Sequence, residues 1–161
     1  MRGDQRGITF AELLVVITLL LIFGGVAASS TFGLIEAYRL RVAVWEFVGD
    51  LRLARQRAVS TQVRHRICLF GCSISIPGAA YILEREGNPL DPTSWSPDVA
   101  RTDLAEGVVI TTNVAGGKIT FNTKGEPSGS LGSTSTLANG SGIYQVTVAS
   151  TGRVRVCRGT C

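Results

Sequence analysis

The chain has few of the residues on which most enzymes rely. Its 161 residues include one histidine, His65, and charged residues make up only 17%. One histidine and four cysteines offer few ligands for a transition-metal site, and no G-x-S-x-G nucleophile motif occurs. Residues 115–120 contain a Gly-Gly-Lys turn without the spacing of a phosphate-binding loop. We therefore predict that the protein is not an enzyme and needs neither a cofactor nor a metal ion.

The composition also excludes a collagen-like or a disordered chain. Five prolines and 19 glycines are too few and too scattered for either. Hydrophobic residues make up 45% and the mean hydropathy is +0.26, so the chain has enough apolar surface to form a core. Such a value also indicates a strongly apolar segment, and the length is that of one ordinary domain.

The apolar segment lies at residues 8–28, where Glu12 is the one charged residue. As a helix it would be about 30 Å long, the thickness of a bilayer core. The leader, residues 1–7, contains Arg2 and Arg6, and positive residues before a span favour a cytoplasmic N-terminus. A cleaved secretory signal is the alternative, but its apolar part is shorter. We expect a single inner-membrane span over 8–28 with the rest of the chain in the periplasm.

Residues 6–16 (RGITFAELLVV) resemble the class III signal of type IV pilins and pseudopilins. The resemblance implies that a membrane prepilin peptidase cuts after Gly7 and methylates Ile8, where the family usually has Phe. It also places Glu12 at the fifth mature position. In lipid, Glu12 could pair with the new amine of a neighbouring subunit and so specify assembly. The alternative is a lone membrane glutamate with a local partner.

Beyond the apolar run, a helical spacing of apolar residues continues to Val59. The residues that carry it are Leu34, Tyr38, Trp45, Val48, Leu51, Ala54 and Ala58. We predict one long helix over residues 8–61, with an amphipathic second half that packs on a globular domain, residues 62–161.

The remaining residues read as short strands rich in β-branched side chains. We predict strands at 63–69, 73–76, 80–84, 108–112, 118–122, 144–148 and 153–157. The proline-containing segment 87–101 and the Ser-, Thr- and Gly-rich segment 128–142 are expected to be loops. A helix packed on an antiparallel sheet predicts an α+β fold.

Three segments resemble a narrower family, the GspH/FimT minor pilins and pseudopilins. Residues 121–129 (FNTKGEPSG) resemble its F-x-x-x-G-x-P-x-G segment, 51–59 resemble its helix end, and 146–156 resemble its last hairpin. The resemblance implies a type IV pilin-like fold.

The four cysteines form two pairs with the same spacing, Cys68 with Cys72 and Cys157 with Cys161. An even number in a domain expected to face the periplasm predicts disulfides, for which three connectivities exist. We favour the two local bridges. Cross-pairing, which would tie the first strand to the last, stays open.

The net charge is +4, and residues 127–161 contain no acidic residue. The charges there are Arg153, Arg155 and Arg158. On a strand, Arg153 and Arg155 would share one face, with Val154 and Val156 turned to the core. Two guanidinium groups about 7 Å apart match successive backbone phosphates. This spacing predicts phosphate binding without base recognition.

Residues 152–155 (GRVR) resemble the G-R-x-R motif of FimT proteins, which is implicated in DNA binding during natural transformation. The resemblance implies that Gly152, Arg153 and Arg155 belong to a DNA-binding site. We add Arg158 and Lys124 from charge alone. A solvated basic strand end without a ligand is the alternative.

These observations predict a minor type IV pilin that moves from the inner membrane into a pilus at the cell surface. Its expected partners are other pilins, the prepilin peptidase and double-stranded DNA, bound for uptake in natural transformation. Two alternatives remain: a GspH-like pseudopilin of a type II secretion system, and a minor pilin that only primes pilus assembly.

Overall fold

The structure is a computed structural model that describes residues 9–73, 80–88, 90–101, 104–128 and 132–161. The side chains of residues 24–32, 92 and 101 are not among those described. Gly7, Ile8 and the rest of the predicted leader lie outside the described residues. The chain divides into two compact units, Met1–Ile35 and Glu36–Cys161.

The first element is the predicted long helix, α1 (Phe10–Thr61). It begins after Thr9, whose hydroxyl oxygen accepts a hydrogen bond from the backbone N–H of Glu12 (3.3 Å) and so caps the first turn. It ends before Gln62, which has φ +55 and turns the chain out of the helix.

In the described part of the chain, no helical segment is both long and apolar enough to cross a bilayer. Residue 8 and the side chains of residues 24–28, which belong to the predicted span, lie outside that part.

The second half of α1 buries one face, but its first residues differ from those predicted. The buried stripe runs through Leu40, Val44, Phe47 and Leu51, and then through Ala54 and Ala58. Leu34, Tyr38 and Trp45, which we predicted to belong to it, are 69%, 69% and 55% exposed. Trp45 follows Val44 and is turned about 100° from it, so it lies beside the buried stripe.

Two antiparallel sheets follow the helix. The first has the strand order β3-β2-β1-β5-β6. Its strands are β1 (His65–Cys68), β2 (Tyr81–Asn88), β3 (Asp91–Arg101), β5 (Lys118–Phe121) and β6 (Pro127–Ser128). The second has the order β4-β7-β8-β9. Its strands are β4 (Val109–Thr112), β7 (Ser133–Asn139), β8 (Gly142–Val148) and β9 (Val154–Arg158).

The core combines the buried stripe of α1 with residues from both sheets. Phe47 contacts Tyr81 edge to face, with ring centroids 5.2 Å apart. The Tyr81 hydroxyl donates a hydrogen bond to the buried Asp50 carboxylate (2.8 Å), which satisfies both polar groups. Phe121 of the first sheet and Leu137 of the second are fully buried in the same cluster.

The predicted α+β fold class is confirmed, with two corrections. Residues 91–101, predicted as loop, form β3, an edge strand that tolerates Pro97 and bulges at Asp98. Residues 133–139, also predicted as loop, form β7, whose small polar side chains alternate between the buried and the half-buried face. Of the predicted strand 73–76, residues 74–76 lie outside the described residues.

Candidate nucleic-acid interface

The predicted arginine pair lies at the start of an edge strand. Arg153 immediately precedes β9 and Arg155 belongs to it, and both side chains are exposed. Val154 and Val156 are half-buried and pack against the core. Since side chains alternate along a strand, Arg153 and Arg155 point away from the core, about 7 Å apart.

The strand beside the pair offers it no acidic partner within the described residues. The residue opposite Arg155 on β8 is Thr147, whose hydroxyl is 3.5 Å from that of Thr134 on β7. Neither Arg153 nor Arg155 forms an ion pair with any carboxylate of the described residues. Both positive charges are therefore available to a ligand.

The two residues added from charge alone are placed differently. Arg158 lies three positions after Arg155, so strand alternation puts it on the opposite face of β9, where its partner on β8 is Tyr144. Lys124 is exposed in the turn between β5 and β6, next to Gly125. The structure separates Arg158 from the pair, while Lys124 lies beside a residue that contacts Gly152.

Gly152 fixes the turn that leads into the pair. It is buried with φ +76, and a Cβ there would lie 2.1 Å from the carbonyl oxygen of Gly125. Gly125 has φ +80 and a similar lack of space, with Val59 Cγ2 at 2.9 Å. Gly152 needs glycine because its turn meets the backbone of the Gly125 turn, and Gly125 needs it because side chains of α1 pack against it; the positive φ of both favours glycine as well.

Arg55 of α1 joins these turns. Its Nε donates a hydrogen bond to the carbonyl oxygen of Gly125 (3.0 Å), and its Nη2 donates one to that of Thr151 (3.3 Å). One side chain thus ties the helix to a turn of each sheet. We call Arg55, Gly125, Thr151 and Gly152 the glycine junction.

The glycine junction brings together the three segments that carry the family resemblance, residues 51–59, 121–129 and 146–156. Sequence reasoning did not single out Arg55. Two features of the sequence could have pointed to it. Arg55 lies in the segment 51–59 that resembles the family's helix end, and no acidic residue lies three or four positions away to pair with it.

A second arginine pair, Arg64 and Arg66, is neutralised. Arg66 Nε donates to Glu84 (2.6 Å), Arg64 pairs with Glu86, and the Arg66 guanidinium lies 3.8 Å from the Trp95 ring centroid. Burial raises the pKa of the Glu84 carboxyl, but hydrogen bonds from Ser73 and Arg66 outweigh it, so the pKa is lowered. The hydrogen bond from Arg64 lowers the pKa of Glu86.

The cysteines form the two local bridges, Cys68–Cys72 and Cys157–Cys161, with Cα–Cα distances of 5.6 and 5.4 Å. Sulfurs of Cys68 and Cys72 lie near the Glu84 carboxylate. Because both sulfurs are bonded to each other, they offer no thiolate to a metal ion.

His65 contacts Val63 and Asp98, and Glu12 contacts Thr9. His65 is buried in β1, and its Nδ1 is 2.9 Å from the carbonyl oxygen of Val63. Glu12 is exposed, and its backbone N–H bonds to the Thr9 hydroxyl, which gives the Thr-x-x-Glu spacing of a capping box. This hydrogen bond explains the threonine at position 9. Because it uses the backbone N–H of Glu12, it is compatible with a further partner for the carboxylate.

Solved structures of two bacterial proteins share this architecture. The minor type IV pilin FimU of Pseudomonas aeruginosa matches with a TM-score of 0.60 and 17% identity, over 76% of this chain and 90% of FimU. The minor pseudopilin EpsH of the Vibrio cholerae type 2 secretion system matches with a TM-score of 0.56 and 15% identity, over 76% of this chain and 99% of EpsH. At identities of 17% and 15%, the likeness shows the fold alone, which is that of type IV pilin-like proteins.

The sequence profile of the family described as Type II transport protein GspH matches residues 43–152. The chain belongs to this family of minor pilins and pseudopilins, whose members are structural subunits. No curated protein matches the chain significantly. The matched region contains Arg55, Gly125 and Gly152 and ends immediately before Arg153, so the arginine pair lies beyond it.

Proposed function

We propose that this protein is a minor type IV pilin that binds double-stranded DNA through Arg153 and Arg155 for uptake in natural transformation. The observation that carries the proposal is the exposed arginine pair at the start of the edge strand β9, with which no carboxylate of the described residues pairs. Residues 127–161 contain no acidic side chain that would repel a polyanion.

The geometry favours contacts to phosphate. Each guanidinium can donate two N–H groups to one phosphate, and the spacing of the pair suits neighbouring phosphates. The glycine junction holds the turn before Arg153, so less backbone freedom is lost on binding. Such contacts carry no sequence information, and the affinity should fall as salt rises.

We further propose that the N-terminal segment serves anchoring and assembly. Processing after Gly7 by a prepilin peptidase would expose the Ile8 amine, and Glu12 would pair with this amine of a neighbouring subunit. The apolar run 8–28 would hold the subunit in the inner membrane before it enters the pilus. A Glu12→Gln variant should remain processed but fail to enter the filament. A Glu12→Asp variant keeps the negative charge and should still enter the filament in part.

The DNA proposal is tested with a double substitution, Arg153→Gln with Arg155→Gln. Fluorescence anisotropy with a labelled duplex should show an affinity loss of about 60-fold at about 0.1 M salt, because each lost phosphate contact lowers the salt slope by about 0.9. Arg41→Gln, another exposed arginine, is the control and should bind as the unaltered protein does. Equal binding by the double variant would refute the assignment.

A pseudopilin of a type II secretion system is the second candidate. The family description and the likeness to EpsH favour it, since EpsH belongs to such a system. In that case Arg153 and Arg155 would contact another subunit. The double variant would then lose secretion of an exported protein while DNA uptake stayed unchanged.

A further inference from the structure

A shallow groove of about 360 Å³ lies on α1 beside the glycine junction. Its lining consists of Arg52, Arg55, Gln56, Val59 and Ser60. These positions recur at three- and four-residue spacing, so they share one face of the helix. The Ser60 hydroxyl donates to the carbonyl oxygen of Arg57 (3.3 Å), so the N–H groups that an anion would meet here belong to Arg52, Arg55 and Gln56.

No carboxylate of the described part of the chain pairs with the two arginines of this groove. The partners of Arg55 are two backbone carbonyl oxygens, which fix its guanidinium but carry no formal charge. Arg52 makes no hydrogen bond or ion pair within the described ranges. No acidic residue lies three or four positions from Arg52 or Arg55 on the helix. A guanidinium held by two carbonyl oxygens and an exposed one thus lie about one helical turn apart.

The groove adjoins Gly152, the residue that precedes the arginine pair of β9. A Cβ on Gly152 would lie 2.8 Å from Arg55 Nε, so the guanidinium of Arg55 lies against the residue that precedes Arg153. Lys124 precedes Gly125, the other partner of Arg55, and adds a positive charge. Next to Gly125, the Glu126 carboxylate accepts a hydrogen bond from Asn122 (3.1 Å).

From these contacts we infer that the nucleic-acid surface continues from β9 across the glycine junction onto α1, where Arg55 and Arg52 contact further phosphates of the same duplex. The inference rests on the proposed DNA binding and extends it to a second element of the fold. Arg55 holds its position through the turn carbonyls, and its guanidinium faces the groove beside Arg52. The partner is recognised by its regularly spaced phosphates, which a single phosphate group does not reproduce.

The test uses the full chain in a zwitterionic detergent and a labelled DNA duplex over a range of salt concentrations. Arg52→Gln should lower the slope of log K against log salt by about 0.9 and the affinity by about eightfold at about 0.1 M salt. Arg52→Lys should keep the slope, since the charge remains. Arg41→Gln is the matched control: it removes an arginine from the same helix, about 16 Å further along the axis.

Each outcome decides one proposal. A slope for Arg52→Gln equal to that of the unaltered chain, while the Arg153/Arg155 double variant loses binding, overturns the extension onto α1 and leaves the DNA proposal standing. If neither change affects binding, both fail. An equal loss in Arg41→Gln would also overturn the extension, because the effect would then be one of net charge. Thermal unfolding of Arg52→Gln should match the unaltered chain, which separates lost contacts from lost folding.

Discussion

Two strands of this protein carry the same pattern, an arginine at one position and a second arginine two positions later. On β1, Arg64 and Arg66 face Glu86 and Glu84 of the neighbouring strand, and Trp95 covers them. On β9, Arg155 faces Thr147, and no carboxylate of the described residues pairs with it or with Arg153. The first pair is held in ion pairs within the fold, and the second is available to bind a ligand.

The difference lies in the register of the neighbouring strand and not in the arginines. In the first sheet, β2 places a glutamate opposite Arg66, so the charges neutralise each other before any ligand arrives. In the second sheet, the neighbours are threonines. Two arginines at alternate positions are therefore predicted to lie on one face of a strand. Whether they bind a ligand depends on which side chains the neighbouring strand places opposite them.

The largest expected effect separates the two pairs by stability. Arg66→Met should lower the free energy of unfolding by about 3–5 kcal/mol, because it leaves the fully buried Glu84 without its cation. Arg155→Met should change it by less than about 0.5 kcal/mol. Urea unfolding of residues 33–161, which contain all the buried core residues of the described chain, measures both. Equal effects would remove the distinction between the pairs.

The next effect concerns the turn that leads to the exposed pair. Gly152→Ala should cost about 3 kcal/mol or more, because its Cβ would meet a backbone carbonyl oxygen at 2.1 Å. Gly159→Ala is matched to it: φ is +85 and nothing lies within 4 Å, so only the backbone cost of about 1–2 kcal/mol remains. Thermal unfolding compares them, and similar midpoints would contradict the close approach at the glycine junction.

The ion pairs of Glu84 and Glu86 with Arg66 and Arg64 should also make the free energy of unfolding depend on pH. Glu84 and Glu86 have pKa values lowered from 4.5 in the folded state, so their contribution is present above the unfolded value and is lost as pH falls through the folded one. Each unit of lowering contributes about 1.4 kcal/mol. Urea unfolding between neutral pH and acid should show this loss, and Glu86→Gln should make the dependence weaker. A pH-independent stability would contradict it.

A smaller effect comes from making the exposed pair resemble the buried one. Thr147→Glu places a carboxylate opposite Arg155, as Glu84 lies opposite Arg66. The DNA affinity should fall about tenfold, since one phosphate contact is neutralised and a repelling charge is added. Thr147→Gln, of similar size, should bind normally. Anisotropy titration measures both variants, and equal affinities would show that Arg155 does not contact DNA.

Sequence reasoning reached the fold class because its signals are local. The length of α1 and the β-branched runs of β1, β2, β5 and β8 were enough to predict an α+β protein. It failed at β3 and β7, because proline on an edge strand and alternating Ser and Thr resemble loop composition. It also misplaced the start of the buried helix face, where large apolar side chains such as Trp45 remain exposed.

The candidate site was predicted in part for the same reason. Strand alternation suffices to place Arg153 and Arg155 on one face. Arg55 was missed because its partners lie 70 and 96 residues away, and only the folded chain brings them to the helix. The neutralisation of Arg64 and Arg66 depends on strand register, which a single sequence does not specify.

The most direct test of the central claim is the salt dependence of DNA binding by the unaltered chain and by the Arg153/Arg155 double variant, on two duplexes of unrelated sequence. The account predicts equal affinities for the two duplexes and a slope of log K against log salt that the double substitution makes shallower by about 1.8. A slope that the substitution leaves unchanged, or a strong preference for one duplex, would contradict it.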